Sequence, residues 1–252
     1  MCDTNSYASL YGVTIITRAT YANAIVATNS ASISVTGCII YTTQTNSRGL
    51  HATYSGSITG TDVDITTLSG SCANLATDRG GGVVNASNVK LSTAGAGSPL
   101  IAVLEGGNTI TITDSTLTGF GYGNRQDSSN TVVDQAGIMV YQSQSGDASD
   151  GASAFTSTNC TFAIDSPSTN YTSIPFFFTT NVNTTITMSN TTCTYSSSAY
   201  FLSALESEWG TSGSNGANVT LCLDDDVKRT TTTTTKNGSS SITTGTSCSY
   251  SS

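Results

Sequence analysis

Side chains able to do chemistry are few in this sequence, and they are scattered. The single histidine, His51, could act as a general base, but it sits in the run Leu50-His51-Ala52. An imidazole there is expected to be an outward or internally satisfied strand residue. Asp224-Asp225-Asp226 is the densest carboxylate cluster, with Lys228 and Arg229 just after it. Adjacent strand side chains point to opposite faces, so three in a row converge only if the backbone turns. A solvated turn with local charge pairing is the expectation. Asp147 and Asp150 offer oxygen ligands of the kind calcium takes, although a structural turn also explains that loop. Nearly every Ser has the same bland context, so no Ser–His–Asp set can be nominated. The expectation is therefore no catalytic residue, no metal site and no cofactor.

Other candidates concern covalent decoration and binding. Asn-x-Ser/Thr sequons at Asn85, Asn159, Asn170, Asn183, Asn190, Asn218 and Asn237 permit N-glycosylation. The polythreonine run Thr230 to Thr235 suits O-glycosylation. The sequence has 7 cysteines, an odd number for a fully bridged monomer. Cys38, Cys160, Cys193 and Cys248 each follow strand-like residues, and Cys160 and Cys193 are placed to form either a rung-to-rung disulfide or two buried thiols. Spacings far longer than Cys-x-x-Cys argue against zinc. Trp209, with Tyr122, Tyr141, Tyr171 and Tyr200, could present rings to a sugar, making Trp209 the candidate glycan contact.

Composition narrows the partners. Sixteen Asp and Glu stand against eight Lys and Arg, which disfavours a phosphate backbone, and no basic cluster offers a groove to one. Nucleic acid is not expected, and no apolar run approaches the length of a membrane-spanning helix. Only 10% of residues are charged. Ser and Thr fill roughly a third of the chain, well above ordinary globular usage. The regular placement of Ile, Val, Leu and Phe among them opposes disorder. The first residues lack the basic and apolar regions of a secretory leader. Secretion is still the expected setting, with a leader removed or lying before this sequence.

What must position these residues is an internal repeat. A short apolar segment returns as Ala24-Ile25-Val26-Ala27, Leu50-His51-Ala52, Leu100-Ile101-Ala102-Val103-Leu104, Gly137-Ile138-Met139-Val140 and Pro175-Phe176-Phe177-Phe178. An alternating segment follows each, as in Ser32-Ile33-Ser34-Val35-Thr36 and Thr109-Ile110-Thr111-Ile112-Thr113. Alternation places aliphatics on one face and hydroxyls on the other. A two-strand coil recurring about every 20 to 37 residues is a solenoid length. A β-sandwich also uses many short strands, but it has no need of one unit in fixed order. The reading is an all-β, single-domain parallel β-helix over residues 1–252, right-handed, with about seven to eight coils. Loop insertions fall near 121–135, 142–153 and 205–217. An ice-binding face is disfavoured, because the Thr pairs do not recur in strict register.

These repeats resemble the pectin-lyase-like right-handed β-helix proteins, especially the Ser/Thr-rich, adhesin-like members of microbial surfaces. The likeness rests on coils of the Thr109-Ile-Thr-Ile-Thr-Asp-Ser-Thr-Leu117 kind, on Ser145 to Gly151, and on Trp209 to Gly216. It implies a β-helix and an extracellular or cell-surface location, but no activity, since the fold hosts lyases, hydrolases, adhesins and fibres. Enzymes of this kind need clustered carboxylates with a base or a Gly-His-Gly frame, and His51 lacks that frame. The expected function is a glycosylated structural subunit stacking head-to-tail through its solenoid ends. The alternatives are a monomeric carbohydrate-binding adhesin and a polysaccharide lyase or hydrolase.

Overall fold

The computed structural model describes residues 1–95, 97–104, 106–120, 125–126, 132–133, 136–142, 152–165, 174–206 and 215–246. These residues wind into a β-solenoid of about eight coils, built from three parallel sheets of nine, eight and eight strands. Each coil contributes one strand to each sheet in turn. In one coil these are Leu50–Ala52, Ser57–Thr61 and Asp64–Thr67, here assigned to the first, second and third sheets. A separate antiparallel pair, Arg125–Gln126 with Val132–Val133, lies within the first predicted insertion. Most of the three insertions lies outside the described residues.

The coil has three strands, not the two expected. The alternating segment breaks at one residue and bends into the third sheet. That residue is Gly12, Gly37, Asp62, Asn88, Asp114, Asn159 or Asn190 in successive coils, always at positive φ between 40° and 65°. Left-handed backbone costs L-residues roughly 1–2 kcal/mol, a penalty that Gly, Asn and Asp bear best. From the third coil on, the carboxamides and carboxylates at this bend hydrogen-bond along the solenoid axis. Asn88 Nδ2 donates to Asp62 Oδ1, Asn159 Nδ2 to Asp114 Oδ1 at 3.0 Å, and Asn190 Nδ2 to Asn159 Oδ1 at 2.7 Å. The Asn190 amide N–H donates to Asp226 Oδ1 at 2.8 Å. Asp226 joins the ladder in this way, and Asp224, Asp225 and Asp226 are exposed in a turn, as expected.

Asn159→Ala should therefore be costly for an exposed position. It removes two ladder hydrogen bonds, at about 0.5–1.5 kcal/mol each, and leaves Ala in left-handed backbone. A fall in the urea midpoint equivalent to ~2–3 kcal/mol is expected. Asn159→Gly should recover part of it by relieving the backbone alone.

Inside the coils the rows are continuous. Ile33, Ile58, Val84, Ile110, Phe155, Ile186 and Leu221 stack along the second sheet. Ile40, Ile65, Leu91, Leu117 and Phe162 stack along the third. The core changes from aliphatic in the early coils to aromatic later, where Phe155, Phe162, Phe176, Phe177 and Phe201 are all fully buried. In the last rung of the third sheet this row ends at Arg229, whose guanidinium lies 4.9 Å over the Phe201 ring. A cation–π contact thus covers the aromatic cross-section at that point.

The outward face of the second sheet corrects a sequence expectation. Its hydroxyl side chains do stack in register: in the central row Ser34 pairs with Thr59 and Thr111 with Thr156, with Asn85 interrupting between Thr59 and Thr111. Thr36, Thr61, Ser87, Thr113, Thr158 and Ser189 form the neighbouring row. The irregularity seen in the sequence comes from variable turn lengths, not from slipped strands.

Cys160 and Cys193 do not meet the expectation of a rung-to-rung bridge; both are free thiols. Register is the reason. Cys193 stacks on Phe162, while the rung neighbour of Cys160 is Thr191, as the Thr192 N–H bond to the Cys160 carbonyl fixes. Burial pushes the Cys160 thiol up to about 11 and the Cys193 thiol up to about 12. Thiols so placed are inert at neutral pH. Cys38 is also free and buried. Cys222 is disulfide-bonded, and its partner lies outside the described residues.

Candidate functional site

The first sheet differs from the other two in that its strands from Leu50–Ala52 to Leu202–Ala204 are buried on both faces, whereas its last strand, Thr234–Lys236, is not. Its short strands read as continuous apolar runs, which parallel strands covered on both sides require. The outward-facing row is Val26, His51, Ala76, Ala102, Met139, Phe178 and Ser203. From Ala76 to Phe178 this row packs with Ala73, Leu104, Ala136 and Tyr141 into a second apolar cluster, outside the solenoid core.

A cleft of about 240 Å³ opens over this cluster. Its floor is Ala102, Leu104, Met139 and Tyr141. One wall is polar and comes from turns flanking the first-sheet strands: Asn46 and Arg48 before Leu50–Ala52, Ser71 before Leu75–Thr77, and Asp78 and Arg79 after it. Coil stacking brings the turns together. The Arg48 guanidinium reaches the next coil and donates from Nη1 to Asp78 Oδ2 at 3.3 Å. The other oxygen, Oδ1, accepts the Arg79 amide N–H at 3.0 Å. The side chains of Arg48 and Asp78 keep 25% and 21% of their surface accessible, so both still face the cleft.

His51 lies behind this pair. Its Nδ1 is 3.0 Å from Asn23 Nδ2, and its Nε2 is 3.2 Å from Arg48 Nη1. Asn23 is oriented by accepting the Arg48 amide N–H at its Oδ1. Burial, and then the Arg48 charge, bring the imidazole down to about 3. His51 is therefore neutral at physiological pH and only 7% exposed. It points outward yet is buried, and as a neutral imidazole it can accept from only one of these two donors, Asn23 or Arg48; Asp78 Oδ2 lies 3.8 Å from Nε2.

What the arrangement offers is recognition: an apolar floor beside an adjacent donor and acceptor. Among the described residues no group of three or more His, Cys, Asp or Glu is placed to hold a metal ion. Among the described residues, Tyr141 is the one aromatic candidate of the sequence that lines the cleft, and Tyr200 is exposed elsewhere. Trp209, Tyr122, Tyr171, Asp147 and Asp150 lie outside the described residues.

Sequence reasoning missed Arg48, Asp78 and Arg79. A signal was available, because charged residues are scarce in this chain. Arg48 and the Asp78-Arg79 pair flank first-sheet strands of consecutive coils.

The sequons separate by position. Asn85 is exposed on the outward face of the second sheet, and Asn237 is exposed before its last strand. Asn159 and Asn190 are exposed in the bend ladder. Asn183 and Asn218 pair across coils, with Asn218 Nδ2 donating to Asn183 Oδ1 at 2.9 Å. Asn170 lies outside the described residues.

No family model, curated protein or solved structure matches this chain. The fold and the cleft therefore carry the functional argument.

Proposed function

We propose that the chain is an extracellular β-solenoid of the pectin-lyase-like, adhesin-like kind that binds carbohydrate through the first-sheet cleft. One observation carries this reading: a concave, mainly polar site sets a paired guanidinium and carboxylate beside a narrow strip of apolar floor, on a rigid stack of strands. Sugars present apolar C–H faces and hydroxyl edges, and such mixed surfaces recognise them. The proposal is of a binding protein rather than a catalyst. His51 is neutral but hidden, and Asp78 is held in an ion pair, so neither is presented as a free base. A glycan array tests the idea. Binding is expected, and Ala102→Phe, which fills the cleft from its floor, should abolish it. No hits, or hits unchanged by Ala102→Phe, would contradict the reading.

A second reading, self-association into a surface filament, is favoured by a different surface. Tyr11, Ile16, Ile39 and Tyr41 are 80%, 43%, 41% and 39% exposed on the first coils. Ile16 and Tyr41 are rung neighbours, so they form one contiguous apolar area of the kind that marks contact sites. Sedimentation should show assemblies that Ile16→Lys with Tyr41→Lys disperses. A monomer at every concentration would contradict it.

A further inference from the structure

The sequence holds two Asn-Gly pairs, Asn215-Gly216 and Asn237-Gly238, and the fold treats them oppositely. An Asn before Gly is prone to ring closure, because no Cβ hinders the following amide nitrogen as it reaches the carboxamide carbon. We propose that Asn237 is a site of spontaneous deamidation, and that its conversion unfastens the turn that carries it. This chemistry needs neither the cleft nor a ligand.

Asn215 is 2% exposed, and the Gly216 amide N–H donates to Ser239 Oγ at 2.9 Å. The nitrogen that would attack is thus engaged, and its target is hidden from water. Asn237 and Gly238 are exposed, in a turn closed by the Ser240 N–H on the Asn237 carbonyl at 3.1 Å. Among the described residues neither the Gly238 amide N–H nor Asn237 Nδ2 has a hydrogen-bond partner. Nucleophile and leaving group are therefore both open. The Glu206 amide N–H donates to Asn237 Oδ1 at 2.6 Å, at the oxygen where negative charge gathers during attack.

The reaction balances with water as its one co-reactant. The Gly238 nitrogen gives its proton to solvent and bonds to Asn237 Cγ. The Cγ–Nδ2 bond breaks, and Nδ2 leaves as ammonia with a proton taken from solvent. Water then opens the five-membered imide at either carbonyl, leaving aspartate or isoaspartate. Both products put a new carboxylate beside Glu206, whose Oε1 accepts the Ser239 N–H at 2.9 Å and the Ser239 hydroxyl at 2.7 Å. Isoaspartate also lengthens the backbone by one atom, displacing Ser239 and Ser240. Those hydroxyls accept the Gly216 and Ala217 amide N–H groups at 2.9 and 3.1 Å. One turn therefore fastens both stems of the third insertion, Glu206 before it and Gly216-Ala217 after it. Like charge and a longer backbone both work against these bonds.

The test is peptide mass spectrometry of the full chain, free of glycan at Asn237, held at mildly alkaline pH both folded and in urea. In urea the two Asn-Gly pairs should convert at similar rates. In the folded chain Asn237 should convert at least about tenfold faster than Asn215, because only the open pair can reach an attack geometry. Hydrogen exchange on the converted chain should show lost protection at Ser241–Gly245, with Leu50–Ala52 unchanged. Gly238→Ala is a poor control, since a Cβ there runs into the Glu206 carboxylate at positive φ. Asn237→Asp takes its place and should show part of the lost protection without ageing. A folded chain in which Asn237 converts no faster than Asn215 would overturn the site. Unchanged protection in both the converted chain and Asn237→Asp would overturn the unfastening.

Discussion

Phe176→Ala is expected to lose about 3–5 kcal/mol, the usual cost of truncating a fully buried Phe, and to melt the later coils before the early ones. Phe176 has no exposed surface and sits at the centre of the aromatic core. Its ring stacks on Phe201 at 5.6 Å with the planes 7° apart. It meets Phe177 and Phe162 edge-on at 4.9 and 5.5 Å, and Tyr195 at 5.3 Å. Aromatic pairs contribute roughly 0.5–1.5 kcal/mol beyond the area they bury, and Ala forfeits all of these. Solenoid coils contact mainly their neighbours, so damage stays local. Hydrogen exchange should show lost protection around Phe177–Thr180 and Leu202–Ala204, while Ile33 to Ile65 stay protected. Uniform loss of protection would contradict a coil-by-coil core.

Acid sensitivity should have one dominant source. His51 titrates near 3 in the folded chain, against an ordinary value of 6.5. Between those values the unfolded chain binds a proton that the folded chain refuses, so stability falls as pH drops below about 6.5 and levels off near pH 3. The loss attributable to His51 is on the order of 4 kcal/mol at the bottom of that window. Urea unfolding at a series of pH values should show this slope. His51→Gln should flatten it, while costing some stability at neutral pH through the lost hydrogen bond from Asn23 or Arg48. A slope unchanged in His51→Gln would place the acid response elsewhere.

Much of the fold could be read from the sequence, for a physical reason. Parallel stacking demands that each row repeat its chemistry, so Ile33, Ile58 and Ile110 announce themselves. The third strand was hidden because the bend dividing it from the second needs only one left-handed residue. Asn, Asp and Gly are common enough here to look like ordinary turn residues. Aligning Gly37, Asp62, Asn88 and Asp114 as a column would have exposed it.

The proposed Cys160–Cys193 bridge failed on the same register: two residues of offset place the thiols in different rows. The cleft was less legible still. Arg48 and Asp78 are 30 positions apart, and only the rise of one coil brings them within a hydrogen bond. Its floor reads as plain core, because Met139 and Ala102 belong to apolar runs whose outward face gives no sign in the sequence of bordering a cavity.

The most direct test of the account is a crystal structure of the chain grown with an oligosaccharide that it binds in solution. The account predicts sugar density in the first-sheet cleft, with hydroxyls within hydrogen-bond reach of Asp78 and Arg48. Sugar seated on the hydroxyl rows of the second sheet, or anywhere else with the cleft left empty, would contradict it.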